Sequence, residues 1–117
     1  MTNCPIHKQP MLRRATQYGP MYICTVDGCD MLKWGDSENT TPADTETRSR
    51  RHAAHQVFDK LWQDGHMTRD AAYEMLAGRM RLTRSQTHIG LFDRNQCDGT
   101  VQFAHNVQWR ILLEKFK

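Results

Sequence analysis

The residues in this chain best suited to chemistry are four cysteines and six histidines, and they are unevenly spaced. Cys4-Pro5-Ile6-His7 sets a thiol and an imidazole three positions apart, and Cys24 and Cys29 form a second close pair. Each pair fits a tight turn that aims two ligands at one point. Two such turns at the ends of a hairpin supply the tetrahedral nitrogen and sulfur set that zinc prefers. With Cys4, His7, Cys24 and Cys29 all bound, no position is left for a catalytic water, so the Zn2+ is expected to be structural. Two other readings stand beside it. The cysteines could pair as disulfides, although nothing in the chain points to export. Alternatively, His7 is a bystander and Asp27 or Asp30 supplies the fourth ligand.

Other residue sets carry weaker chemistry. His88 and Cys97 could form a redox pair, a second metal site or a Cys-His nucleophile, against the plainer reading of a small buried thiol and a turn-capping imidazole. No glycine-rich oxyanion loop accompanies them, so the expectation is a non-enzyme, with a small hydrolase or nuclease as a third reading. His52 and His55 share a helix side but fit a solvated and a core-edge role. Lys33, Trp34, Arg48, Arg50, Arg51, Arg79, Arg81 and Arg84 are the candidate contacts to a nucleic acid or a partner protein. Such runs are also the usual solvated face of a helix. Trp62 lies on an apolar stripe and reads as core, whereas Trp34 reads as exposed.

The elements that must position these groups come from a short chain. It has 117 residues, 38% hydrophobic and 25% charged, with a mean hydropathy of −0.75. A large catalytic core is excluded, and a segment of a few dozen residues needs a metal, a disulfide or a partner to hold it. No apolar run approaches the roughly 20 residues that span a bilayer, and the start MTNCPIHK lacks a secretory stretch, so a cytoplasmic protein without a membrane segment is expected. The net charge of +3 is uneven. Residues 1–47 carry four basic against six acidic side chains, residues 48–86 eight against four, and the remainder four against three. That is a mildly basic middle, weaker than the field that alone would mark a nucleic-acid protein.

Residues 1–34 read as a zinc ribbon β-hairpin, with short strands at Met11–Thr16 and Met21–Thr25 around Tyr18-Gly19-Pro20. Residues 35–46, rich in Ser, Thr, Asn, Asp and Pro, read as a polar linker. From there the apolar period lengthens to about 3.6, and residues 47–117 read as a module of three to four helices, making the fold α+β. The first helix is expected from Thr47 to Gln63. Thr68 caps a second, antiparallel to the first, with Ala72, Tyr73, Leu76 and Met80 buried. Thr83 with Gln86, and Asp93 with Gln96, fit capping boxes. A last helix is expected over Arg94–Phe116, burying Val101, Ala104, Val107, Ile111, Leu112 and Phe116, with Asp98-Gly99 either interrupting it or starting a strand at Thr100–Phe103.

Cys4-Pro5-Ile6-His7, the later cysteine pair, RRHAAHQVFDKLWQDGHMTRDAAYEMLA from Arg50 and THIGLFDRNQC from Thr87 occur in one order. Together they resemble a family of small bacterial and bacteriophage zinc-finger-containing proteins of unknown function, over residues 4–103. The resemblance is specific at His55, Phe58, Asp59, Leu61, Trp62, Met67, Arg69, Ala72, Tyr73, His88, Ile89, Gly90, Phe92, Asp93 and Cys97. His7 stands where that family usually has cysteine, which keeps a zinc-ligand type. Thr87 stands where it often has cysteine, which argues against a second thiol site. The resemblance implies a zinc ribbon fused to helices and supplies no activity. The function expected from all of this is a zinc-ribbon accessory protein that binds nucleic acid, in bacteria or their phages. The alternative is an interaction module, such as a phage factor that binds and redirects a host enzyme, with contacts from the acidic Asp36–Glu46 loop or an exposed aromatic.

Overall fold

In a computed structural model that describes residues 2–116, Leu12–Thr16 and Gly19–Ile23 pair antiparallel as β1 and β2. Two residues, Gln17 and Tyr18, connect them. The turn is held by Thr16, whose hydroxyl donates to the Gly19 carbonyl at 2.7 Å and accepts from the Tyr18 amide at 3.1 Å. Gly19 takes φ +107°, a conformation that side chains resist. A third strand, β3, runs over Leu32–Trp34 and pairs with β2, so the expected hairpin is a three-stranded sheet in the order β1-β2-β3. Three residues are too few to show a period of two, which is why β3 escapes a pattern-based reading.

Residues 35–46, expected as a polar linker, are partly anchored. Ala43 is buried and exchanges two backbone hydrogen bonds of 3.1 Å with Leu32, satisfying the outer edge of β3. Asp44 then accepts from the Thr47 amide at 2.8 Å. The helix it caps, α1, spans Thr45–Phe58 and so starts two residues earlier than its apolar period suggests. The chain divides into two compact units, Met1–Arg48 and Ser49–Lys117.

In the first unit the buried cluster is Cys4, Met11 and Cys24, flanked by Tyr22, Val26, Cys29 and Met31. Three of these seven residues are cysteines of the candidate site. So small a core leaves most of the stabilisation to whatever binds the thiols.

The second unit has a larger apolar core, including Phe58, Leu61, Leu76, Ile89 and Phe92, all at most 1% exposed. The helix expected from 47 to 63 breaks at Asp59 into α1 and a short α2, Lys60–Gln63. Thr68 accepts from the Ala71 amide at 3.1 Å and starts α3, Arg69–Met80. Both expected capping boxes form: Thr83 with Gln86 opens a 3₁₀ turn at Arg84–Gln86, and Asp93 with Gln96 opens α4, Arg94–Glu114. A second 3₁₀ turn covers Ile89–Leu91.

Asp98-Gly99 neither interrupts α4 nor starts a strand. The capping box and the buried series Cys97, Thr100, Phe103, Ala104 and Val107 outweigh a glycine penalty of about 1 kcal/mol. A Cβ at Gly99 would meet only the Met80 methyl, at 3.4 Å, an ordinary contact, so packing does not require glycine there. The buried stripe ends sooner than expected: Leu112 is 44% and Phe116 80% exposed. No described helix is long and apolar enough to cross a membrane.

Candidate metal centre

Two backbone loops carry the four expected ligands. In the first, the Cys4 amide donates to the Gln9 carbonyl at 3.0 Å and the Lys8 amide to the Cys4 carbonyl at 2.9 Å, with Lys8 in the left-handed region. In the second, the Cys24 amide donates to Met31 at 3.3 Å and the Cys29 amide to Val26 at 3.1 Å, with Gly28 at φ +80°. Both loops curl so that their cysteines point inward. The sheet brings them together because β1 starts just after the first loop and β2 ends just before the second.

The ligand atoms of Cys4, His7, Cys24 and Cys29 lie within 4.8 Å of one another. His7 Nδ1 is 3.6 Å from the sulfurs of both Cys4 and Cys24, and the Cys4 and Cys29 sulfurs are 3.8 Å apart. A tetrahedron with bonds of about 2.3 Å to sulfur and about 2.1 Å to nitrogen has edges of about 3.6 Å between S and N and about 3.8 Å between sulfurs. The donor set and its spacing therefore fit zinc. All four cysteines are free thiols, so the disulfide reading is set aside. Asp30 is not a ligand: its carboxylate accepts from the Thr45 amide at 3.0 Å at the start of α1, and that bond lowers its pKa. Nor does Asp27 belong to the cluster.

The thiols are electrostatically unequal. Burial opposes charge on Cys4, but bonds from the His7 amide and imidazole, and from the Ile6 amide, prevail and bring it down to about 6. At Cys29 the Met31 amide works toward the thiolate, while burial and the neighbouring Cys24 and Cys4 sulfurs outweigh it and raise the pKa. The cluster thus favours one thiolate but resists several, until a divalent cation neutralises them. A site with four protein ligands has no open position, so the metal it holds is a structural staple.

Outside the ligands, the sheet is braced by Asp36. Arg13 of β1 donates to both its oxygens, at 3.1 and 2.9 Å, and Tyr22 of β2 donates to one at 2.5 Å. Arg13 and then Tyr22 hold the Asp36 carboxyl down at about 2.

The expected binding residues divide into two groups. Lys33 is only 7% exposed, with its ammonium 5.5 Å from the centre of the Tyr22 ring. Arg48 donates to the carbonyls of Asp30 and Ala43, Arg50 pairs with Asp98 at 2.7 Å, and Arg51 donates to the Phe92 carbonyl at 2.8 Å. These four side chains already serve the fold. Trp34, at 45% exposure, Arg79 and Arg81 face solvent, whereas Arg84 is partly buried, lies over the Tyr73 ring at 4.4 Å and donates to the Thr87 carbonyl at 3.3 Å.

Among the histidines, His52 is exposed and His55 pairs with Asp59 at 3.3 Å. Cys97 is fully buried, and burial first of all pushes its thiol up to about 11, the opposite of a nucleophile. Arg69 is the residue that sequence reasoning missed: its guanidinium lies 4.8 Å from the Tyr73 ring centre and 5.9 Å from that of Trp62. The i, i+4 spacing of Arg69 and Tyr73 on one helix was the available signal.

A small three-stranded sheet whose flanking loops present three cysteine sulfurs and one imidazole defines a structural zinc ribbon, here followed by a helical unit in an α+β arrangement. A family of zinc-finger-containing domains of unknown function matches residues 6–107, and the chain belongs to that family. The matched stretch includes His7, Cys24 and Cys29, and Cys4 lies just ahead of it. No curated protein and no solved structure matches the chain.

Proposed function

We propose that this zinc-binding protein is a non-enzymatic nucleic-acid-binding accessory protein of bacteria or their phages, working in the cytoplasm. One observation carries the reading. Arg69, Arg79, Arg81 and Arg84 lie close in sequence in the helical unit, and among the described residues none of them is in an ion pair. Cations left without carboxylates are the groups that release counterions when they meet phosphates. In the ribbon, the exposed Trp34 is a surface on which a base can stack. Zinc keeps the ribbon folded and takes no part in chemistry.

Fluorescence anisotropy of a labelled single-stranded oligonucleotide over a salt series tests this. Four phosphate contacts predict a log–log slope of about −3, and R79Q/R81Q should flatten it by about 1.4. Absence of binding at about 50 mM salt removes the reading.

A second reading has its own observation. Trp109, Leu112 and Leu113 of α4 and Phe116 just past its end are all exposed and follow the spacing i, i+3, i+4 and i+7 of anchors that enter a groove on a partner protein. A host protein retained by the native chain and lost with L112E would favour this interaction role.

A further inference from the structure

Two cations converge on one ring in the helical unit. Arg69, the first residue of α3, and Arg84, in the first 3₁₀ turn, place their guanidinium carbons 4.8 and 4.4 Å from the centre of the Tyr73 ring. Tyr73 is almost fully buried and locked edge-on against Phe58, with centroids 4.9 Å apart at 68°, so the platform is rigid. Cation–π attraction holds each guanidinium to the ring. It does not remove the repulsion between them, and among the described residues neither has a carboxylate partner. Asp59, whose field reaches Tyr73, has its carboxylate 3.3 Å from the His55 imidazole and is in no ion pair with either arginine.

His88 completes the cluster. It is partly exposed, and burial first, then the charges of Arg84 and Arg69, hold its imidazole below the usual range. Arg84 also donates to the carbonyl of Thr87 at 3.3 Å, which places its guanidinium beside the peptide that leads into His88. Arg69 is exposed and Arg84 partly so, which leaves the group open to a solute. What is missing is an anion with enough charge and enough acceptor oxygens for two guanidinium forks and an imidazole. A carboxylate brings one charge and two oxygens, whereas a phosphate group brings up to two charges and a tetrahedral set of oxygens.

We propose that Arg69, Arg84 and His88 form a phosphate-binding site built on the Tyr73 ring. The site does not rest on the nucleic-acid reading, because a free phosphate monoester, with up to two charges, suits it better than the singly charged diester of a polynucleotide.

The test follows the Arg69 and Arg84 Nε–H signals and the His88 imidazole by NMR, in the full zinc-loaded chain, as inorganic phosphate is added. Saturable shifts at these three residues are expected, with the His88 pKa rising at saturation because a bound anion favours the imidazolium. R69Q/R84Q should weaken phosphate binding about tenfold or more, while R110Q should not. Non-saturating shifts, or binding indifferent to R69Q/R84Q, overturn the site. If the double variant misfolds, the wild-type His88 titration with and without phosphate decides, and an unchanged pKa overturns it. Thymidine monophosphate and an unphosphorylated dodecathymidylate then distinguish the source. Saturation of the same signals by the oligonucleotide assigns the phosphate to a polynucleotide; saturation by the mononucleotide alone assigns it to a small phosphorylated ligand. A glutamate-rich peptide that moves the signals where phosphate does not overturns the proposal in favour of a carboxylate.

Discussion

Cys4 and Cys29, 25 positions apart in the chain, hold their sulfurs 3.8 Å apart, the separation of two corners of a zinc tetrahedron. That contact closes a unit whose small apolar cluster includes three of its own ligands. Chelation at neutral pH is therefore expected to abolish the dispersed amide signals of the first unit and to leave those of α3 and α4 in place. Cys24→Ser should prevent stoichiometric zinc binding, whereas His7→Cys should retain it with one more negative charge. Ribbon signals unchanged in a metal-free sample would contradict the assignment.

Cys97 is a packing residue. With its thiol pushed up to about 11, chiefly by burial, the thiolate is scarce at neutral pH. Alkylation of the native protein should leave Cys97 unmodified until the helical unit unfolds, and the labelling rate should follow urea rather than pH. Rapid modification in the absence of urea, read by mass spectrometry, would restore it as a reactive site.

Trp62 carries a buried indole N–H with no acceptor among the described residues. An unsatisfied buried donor costs about 1–3 kcal/mol, so Trp62→Phe removes a penalty while losing some apolar contact. The two effects oppose each other, and the urea midpoint of the helical unit should move by the equivalent of about 1 kcal/mol or less. Phe58→Ala, which empties the centre of the same core, should instead cost about 3–5 kcal/mol. A loss from Trp62→Phe as large as that from Phe58→Ala would show that the indole has a partner.

His88 gives the helical unit a pH dependence of definite sign. Its folded pKa lies below the unfolded value, owing first to burial and then to Arg84 and Arg69. Below about pH 6.5 the unfolded chain takes up the proton first, so stability falls on acidification until the folded imidazole also protonates. His88→Gln should flatten this part of the profile, and saturating phosphate should do the same by raising the folded pKa. A urea midpoint that rises as the pH drops from 7 to 5.5 would reverse the sign and refute the argument.

Much of this molecule is local and was legible as such. Thr68, Thr83 and Asp93 accept hydrogen bonds from amides three residues ahead, and a cap of that reach depends on little beyond its own turn. The four ligands sit in two short loops, each with both donors within six residues. Where local patterns competed, the outcome was harder to read. Gly99 weakens a helix and Asp98-Gly99 imitates a turn, yet the buried series from Cys97 to Val107 carries α4 through. Residues 45 and 46 are polar, and only the Asp44 cap shows that α1 includes them.

By itself the sequence determined the zinc ligands, the caps and the division between a ribbon and helices, because these depend on residue type and short spacing. The tertiary structure decided what depends on distant partners. β3 exists because Leu32–Trp34 finds β2 on one side and Leu32 finds Ala43 on the other. Arg50 and Arg51 are committed to Asp98 and Phe92, 48 and 41 positions away, and no period or motif announces such pairs. The meeting of Arg69 and Arg84 over Tyr73 is of the same kind. Each arginine reads alone as a solvated charge, and only packing of the ring between α3 and the following turn gives the two a common place.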